Sequence, residues 1–117
     1  NRRLWAVFEP RSNTSRRKIF EAEFAQALAA ADRVVVAGLY QPERIPENDR
    51  LAPEAVVKEI NRISGDHRAV AAMNTDEIAD RVGNQSKAGD VILVMSNGGF
   101  DQVQEKILRV LRNRKSL

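Results

Sequence analysis

Leu4-Trp5-Ala6-Val7-Phe8 runs without a break into Glu9-Pro10-Arg11-Ser12-Asn13-Thr14. Five apolar residues in a row, with no polar alternation, describe a strand covered on both faces, as in a parallel sheet with helices on each side. Two further runs read the same way, over 33–39 and over Val91-Ile92-Leu93-Val94-Met95, and Ala69-Val70-Ala71-Ala72-Met73 is a weaker fourth. The last strong run opens into Ser96-Asn97-Gly98-Gly99-Phe100. In a parallel sheet these two exits share one edge, the edge at which open α/β sheets bind ligands.

Helical patterns fill the intervals. Residues 16–31 set Phe20, Phe24, Ala27, Leu28 and Ala31 on one stripe, the spacing of a packed helix. Pro53 suits a first helical turn, and Val56, Val57, Ile60 and Ile63 would follow as the core face. Asn74 with Glu77 reads as a capping box for a short helix through Ile78 to Val82. Asp101 with Gln104 opens the last helix in the same way, its buried face being Val103, Ile107, Val110 and Leu111. The polar stretch from Gln41 to Arg50 is a loop. Strand and helix alternate four times, so the expected fold is a three-layer, Rossmann-like α/β domain with a mostly parallel sheet, in one domain over residues 1–117.

Composition narrows the function. The chain is 43% hydrophobic and 30% charged, as soluble domains are. No apolar run approaches the roughly 18 residues of a membrane span. Asn1-Arg2-Arg3-Leu4 lacks the apolar core of a signal peptide. Without an initiator methionine the chain reads as a piece of a longer protein. Cysteine is absent, compatible with a reducing cytoplasm. The net charge of +3 is concentrated in Arg16-Arg17-Lys18 and in Arg109, Arg112, Arg114 and Lys115. These read as a solvated helix start and a frayed tail. With six aromatics, mostly within apolar patterns, the chain is a poor match to nucleic-acid surfaces. Small anionic ligands suit it better.

No phosphate loop of the G-x-x-x-x-G-K-[ST] form and no G-x-G-x-x-G fingerprint occurs. Gly98-Gly99 is either a plain strand-to-helix turn or a set of open backbone N–H groups for a carboxylate or phosphate. Arg11 is either a surface arginine or, at the tip of a buried strand, a bidentate carboxylate clamp. Ser12, Asn13 and Thr14 either turn and cap the chain or offer polar groups to a ligand. Asn97 fits the same polar role, and Phe100 is either core or a wall of the site. His67 has no partner at ligand spacing and reads as a loop residue, so no metal site is expected. Neither Ser12 nor Ser96 has a histidine near it in sequence to serve as a base, and no catalytic residue is assigned. From the residues alone this is a ligand-binding α/β domain without catalytic machinery of its own.

The runs Val7-Phe8-Glu9-Pro10-Arg11-Ser12-Asn13-Thr14 and Gly89-Asp90-Val91-Ile92-Leu93-Val94-Met95-Ser96-Asn97-Gly98-Gly99-Phe100 resemble the C-terminal domain of the Mur ligases. Within that family they are nearest the peptidoglycan-recycling branch. The alanine-adding branch resembles the chain in the same places, with a different polar run after the proline and a different glycine turn. The resemblance implies a three-domain, cytoplasmic, ATP- and Mg²⁺-dependent amide ligase. Such an enzyme joins the murein tripeptide L-Ala-γ-D-Glu-meso-diaminopimelate to UDP-N-acetylmuramate through an acyl phosphate. It further implies that the UDP-sugar and ATP sit on two other domains, so that this chain alone is inactive. Arg11, Ser12, Asn13 and Thr14 would form the first loop facing the peptide, and Asn97, Gly98, Gly99 and Phe100 the second. The alternatives are an alanine-adding ligase domain or a non-catalytic nucleotide- or anion-binding module.

Overall fold

The computed structural model describes residues 2–11, 16–39, 41–96 and 100–115. The four expected strands form, as β1 (Leu4–Phe8), β2 (Arg33–Ala37), β3 (Ala69–Ala72) and β4 (Val91–Met95). All pair in parallel, in the order β3-β2-β1-β4. The helices are α1 (Glu21–Leu28), α2 (Pro53–Ser64), α3 (Thr75–Gln85) and α4 (Val103–Lys115).

Alternate residues of β1 and β2 feed two cores, which is why these strand sequences carry no polar alternation. Ala6, Val34 and Val36 pack with Leu28, Val56 and Ile60 of α1 and α2. Trp5, Val7 and Val35 point the other way, onto Ile78, Val82, Val103 and Ile107 of α3 and α4. The architecture is therefore the expected three-layer α/β sandwich. Helix ends follow local chemistry. Pro53 occupies the first turn of α2, and Gly65 closes that helix at φ 75°, a left-handed value that glycine adopts without a Cβ penalty. Asn74 accepts the Glu77 N–H at 2.9 Å, while the Glu77 carboxylate accepts from the Met73 N–H at 3.0 Å. The capping box thus forms, with its return bond one residue earlier than the usual pattern.

Four expectations need correction. β4 is an edge strand, and Val91 and Leu93 are 45% and 48% exposed. One face of β4 packs on α4 through Ile92 and Val94, while the other meets the α1–α2 core at Met95 and is open at Val91 and Leu93. The first helix is shorter than residues 16–31: a 3₁₀ turn, Lys18–Phe20, precedes α1, and Ala27 is exposed. Ile63 likewise leaves the α2 core face, at 43% exposure. The basic tail is not frayed, because Arg114 donates to the carbonyls of Gly83 and Ser86 (3.0 Å for Ser86), which ties the end of α4 to α3.

At the opposite end of the sheet from the two exits, Asp90 gathers the start of β1. It accepts from Arg3 Nη2 at 2.8 Å, Trp5 Nε1 at 2.9 Å and the Lys87 N–H at 2.8 Å. The bonds from Arg3 hold its carboxyl well below the usual carboxylate range, against the opposing effect of desolvation. Because the folded pKa is depressed, the unfolded chain takes up the proton first as the pH falls. The stabilisation is thus complete above the ordinary Asp pKa of about 3.9 and is lost below it. Asp66, held down chiefly by Arg68, adds a slope of the same sign. Asp90→Asn is expected to lower Tm near neutral pH and to shrink the Tm loss between about pH 5 and about pH 3. Thermal melts across that range check this; parallel curves would contradict it.

Candidate functional site

The chain runs outward from β1 to β2 and β3, then returns to place β4 on the other side of β1. The order reverses between β1 and β4, which makes their C-terminal ends the topological switch point, where open α/β sheets leave a crevice. In the register Phe8 stands opposite Met95. The ladder continues one step further, with the Glu9 N–H donating to the Met95 carbonyl at 3.0 Å. Glu9 and Ser96 therefore leave the sheet side by side, and Ser96 Oγ donates to Glu9 Oε1 at 2.7 Å. Pro10 is buried behind them. Arg11 Nη1 stands 3.7 Å from the same Glu9 oxygen, with side chains 27% (Arg11) and 11% (Glu9) exposed.

The loop that leaves β2 lies at this same edge, and it is built rather than slack. Ile45 and Leu51 are buried, and two 3₁₀ turns, Pro42–Arg44 and Glu47–Asp49, fold it up. Arg16, only 8% exposed, donates to the Gln41 carbonyl at 3.1 Å. Its own carbonyl accepts from the Leu51 N–H at 2.9 Å. Arg17 pairs with Asp49 at 2.6 Å. Neither arginine belongs to a solvated helix start, as the basic run alone suggests; both fasten the third loop to the chain that follows the first. Backbone strain collects here too. The non-glycine residues with positive φ among those described are Gln41, Phe100 and Gln102, at 45°, 49° and 56°. All lie in loops leaving strand C-terminal ends, where stored strain often marks function.

Of the expected site residues, Arg11 stands at the switch point. Phe100 follows the β4 exit, but its ring is 2% exposed and sits in the core with Val103 and Ile107. Ser12, Asn13, Thr14, Asn97, Gly98 and Gly99 lie outside the described residues. Glu9 and Ser96 were visible in the quoted runs, yet sequence spacing carries no sign that they meet; only the strand register brings them together. His67 is exposed. At the described rim the Glu9 carboxylate is engaged by Ser96 and Arg11, and among the described residues no group of three or more His, Asp or Glu could hold a metal ion. No described helix is long and apolar enough to cross a membrane. A groove of about 500 Å³ lies at the far end of the sheet, between α4 and the start of β4, lined in part by Lys87, Ile92 and Leu108.

No family model matches the chain. Known proteins do. The chain is 41% identical over 106 residues to the UDP-N-acetylmuramate–L-alanyl-γ-D-glutamyl-meso-2,6-diaminoheptandioate ligase of Escherichia coli K12, covering 91% of this chain and 21% of that enzyme. A domain assigned to a ligase of the same description from Haemophilus ducreyi is 32% identical, with a TM-score of 0.63, covering 95% of this chain and 70% of that one. The chain belongs to the Mur ligase family. A murein peptide ligase from Psychrobacter arcticus superposes with a TM-score of 0.72 at 30% identity, over 97% of this chain and 22% of that one. The chain thus spans about a fifth of the length of the full-length relatives it matches.

Arg16→Ala is expected to cost about 1–3 kcal/mol, because it strips a buried donor from the Gln41 carbonyl. It should also open the loop over residues 41–50 to proteolysis, whereas Lys18→Ala, at an exposed position, should do neither. Denaturant titration with limited proteolysis measures both; equal behaviour of the two variants would contradict the fastening role.

Proposed function

We propose that this chain is the C-terminal, peptide-binding domain of a Mur ligase that joins L-Ala-γ-D-Glu-meso-diaminopimelate to UDP-N-acetylmuramate in peptidoglycan recycling. The observation that carries the reading is the convergence of the β1 and β4 exits at the switch point, with Arg11 on the rim. The 41% identity to a ligase named for that tripeptide supports the choice of substrate. The expected loop residues Ser12, Asn13, Thr14, Asn97, Gly98 and Gly99 continue the two runs that meet there. They are proposed, with Arg11 and the backbone at Phe100, to form the peptide site.

The chemistry suits that ligand. The tripeptide carries several carboxylates, and a guanidinium beside open backbone donors recognises a carboxylate with directional, charge-assisted bonds. The role assigned to this domain is binding and orientation. It holds the peptide so that the free amine of L-Ala points away from the rim towards the activated sugar carboxylate, an entropic contribution to rate. The family resemblance assigns ATP and Mg²⁺ to the central domain and the UDP-sugar to the N-terminal one. The chain alone is therefore expected to be inactive, and the full-length protein to be a cytoplasmic ligase.

In the full-length protein, Arg11→Ala is expected to raise the KM for tripeptide about tenfold or more, from the loss of about 1.5–3 kcal/mol. The KM for ATP should stay as it is. Steady-state kinetics with tripeptide, L-alanine and ATP varied in turn make the test. Equal effects on tripeptide and ATP would overturn the assignment of Arg11. Ligation of free L-alanine in place of tripeptide would move the chain to the alanine-adding branch.

A further inference from the structure

At the switch point one side chain touches both exits. Glu9 is bound to β4 through its backbone N–H, at 3.0 Å from the Met95 carbonyl. Its carboxylate accepts from Ser96 Oγ at 2.7 Å, on the exit from β4. The same oxygen faces Arg11 Nη1 at 3.7 Å, on the exit from β1. Glu9 and Arg11 flank Pro10, and their side chains meet at 3.7 Å. Between them Pro10, with its fixed φ, is buried, so the spacing between the two charges is held by the backbone. At 11% exposure the carboxylate is the more deeply set member of the pair, and Arg11, at 27%, is the outer one.

We infer that Glu9 is a positioning residue of the peptide site: it orders the Arg11 guanidinium and ties the β1 and β4 exits into one rim. This rests on the proposed reading of the rim as the peptide-binding surface. An unrestrained arginine loses much rotamer freedom when it clamps a ligand, and a buried counter-charge removes part of that loss beforehand. A guanidinium has five donors, so engagement by Glu9 does not exhaust its capacity for a substrate carboxylate. Glu9 also repels that carboxylate. The ordering effect outweighs the repulsion, since Glu9 lies behind Arg11 and the substrate approaches from the solvent side. Ser96 completes the device by fixing the carboxylate from the neighbouring strand, so that a change at Ser96 reaches Arg11 through Glu9.

The test is a double-mutant cycle in the full-length protein, with tripeptide and ATP as varied substrates. Glu9→Gln keeps an acceptor for Ser96 and removes the charge, and should raise the tripeptide KM about threefold, the scale of a partly exposed ion pair. Glu9→Ala should raise it about tenfold, since the bond from Ser96 is lost as well. Neither should move the ATP KM. In an Arg11→Ala background Glu9→Gln should raise the tripeptide KM no further, because there is no longer a guanidinium to order and only the repulsion of the substrate carboxylate remains to be relieved. A purely structural role for Glu9 would instead multiply with Arg11→Ala or shift both KM values together, and either result overturns the inference while leaving the peptide reading intact. If Glu9→Ala does not fold, Glu9→Gln and Ser96→Ala carry the cycle. If the unaltered protein does not ligate tripeptide, or Arg11→Ala leaves its KM unchanged, the peptide reading fails and the inference falls with it.

Discussion

The parallel ladder between β1 and β4 is the joint on which the rest depends. It pairs Leu4 with Val91 at one end and Phe8 with Met95 at the other, although some 87 residues separate the strands in sequence. A contact of that separation is entropically costly to close. It is fastened at both ends: by Asp90 with Arg3 and Trp5 below, and by Glu9 with Met95 and Ser96 above. A one-residue slip would turn every β4 side chain to the opposite face. Ile92 and Val94 would then leave the α4 core, and Ser96 would leave Glu9. Register and site geometry are therefore a single constraint.

Much of the fold was legible because burial on both faces leaves a plain mark. Val34, Val35 and Val36 are fully buried and appear in sequence as an uninterrupted apolar run. The same mark misled at β4, whose five apolar residues include two that are nearly half exposed. An apolar run reports what a strand can bury, and edge position is decided by strand order, which lies beyond local pattern. The first helix starts later than its apolar stripe suggests, because Arg16 lies in a turn and Arg17 is extended and bridged to Arg50. Arg16 and Arg17 looked like solvated charge, and only the folded loop after β2 supplies the carbonyl and carboxylate that take them.

The site was legible in part. Proline and arginine directly after a buried strand marked the first exit, and Arg11 does stand at the switch point. The Glu9–Ser96 contact was not readable, since nothing in either run specifies that Phe8 and Met95 face each other. Phe100 illustrates a different limit. A phenylalanine after two glycines could wall a ligand or anchor a turn, and its ring proves to be core while its backbone takes a left-handed φ. That arrangement leaves the backbone, not the ring, to serve a rim. On the proposed reading, the β1 exit brings charge through Arg11 and the β4 exit brings backbone donors, with Glu9 holding the two in step.

The central claim is that the peptide binds where β1 and β4 release the chain. Amide chemical-shift mapping of the isotopically labelled chain, titrated with L-Ala-γ-D-Glu-meso-diaminopimelate, tests this most directly. The predicted result is a cluster of perturbed amides over residues 9–16 and 96–102, absent when L-alanine or ATP is added alone. Perturbations confined to the far groove around Lys87 and Leu108, or a response at the rim to ATP alone, would contradict it.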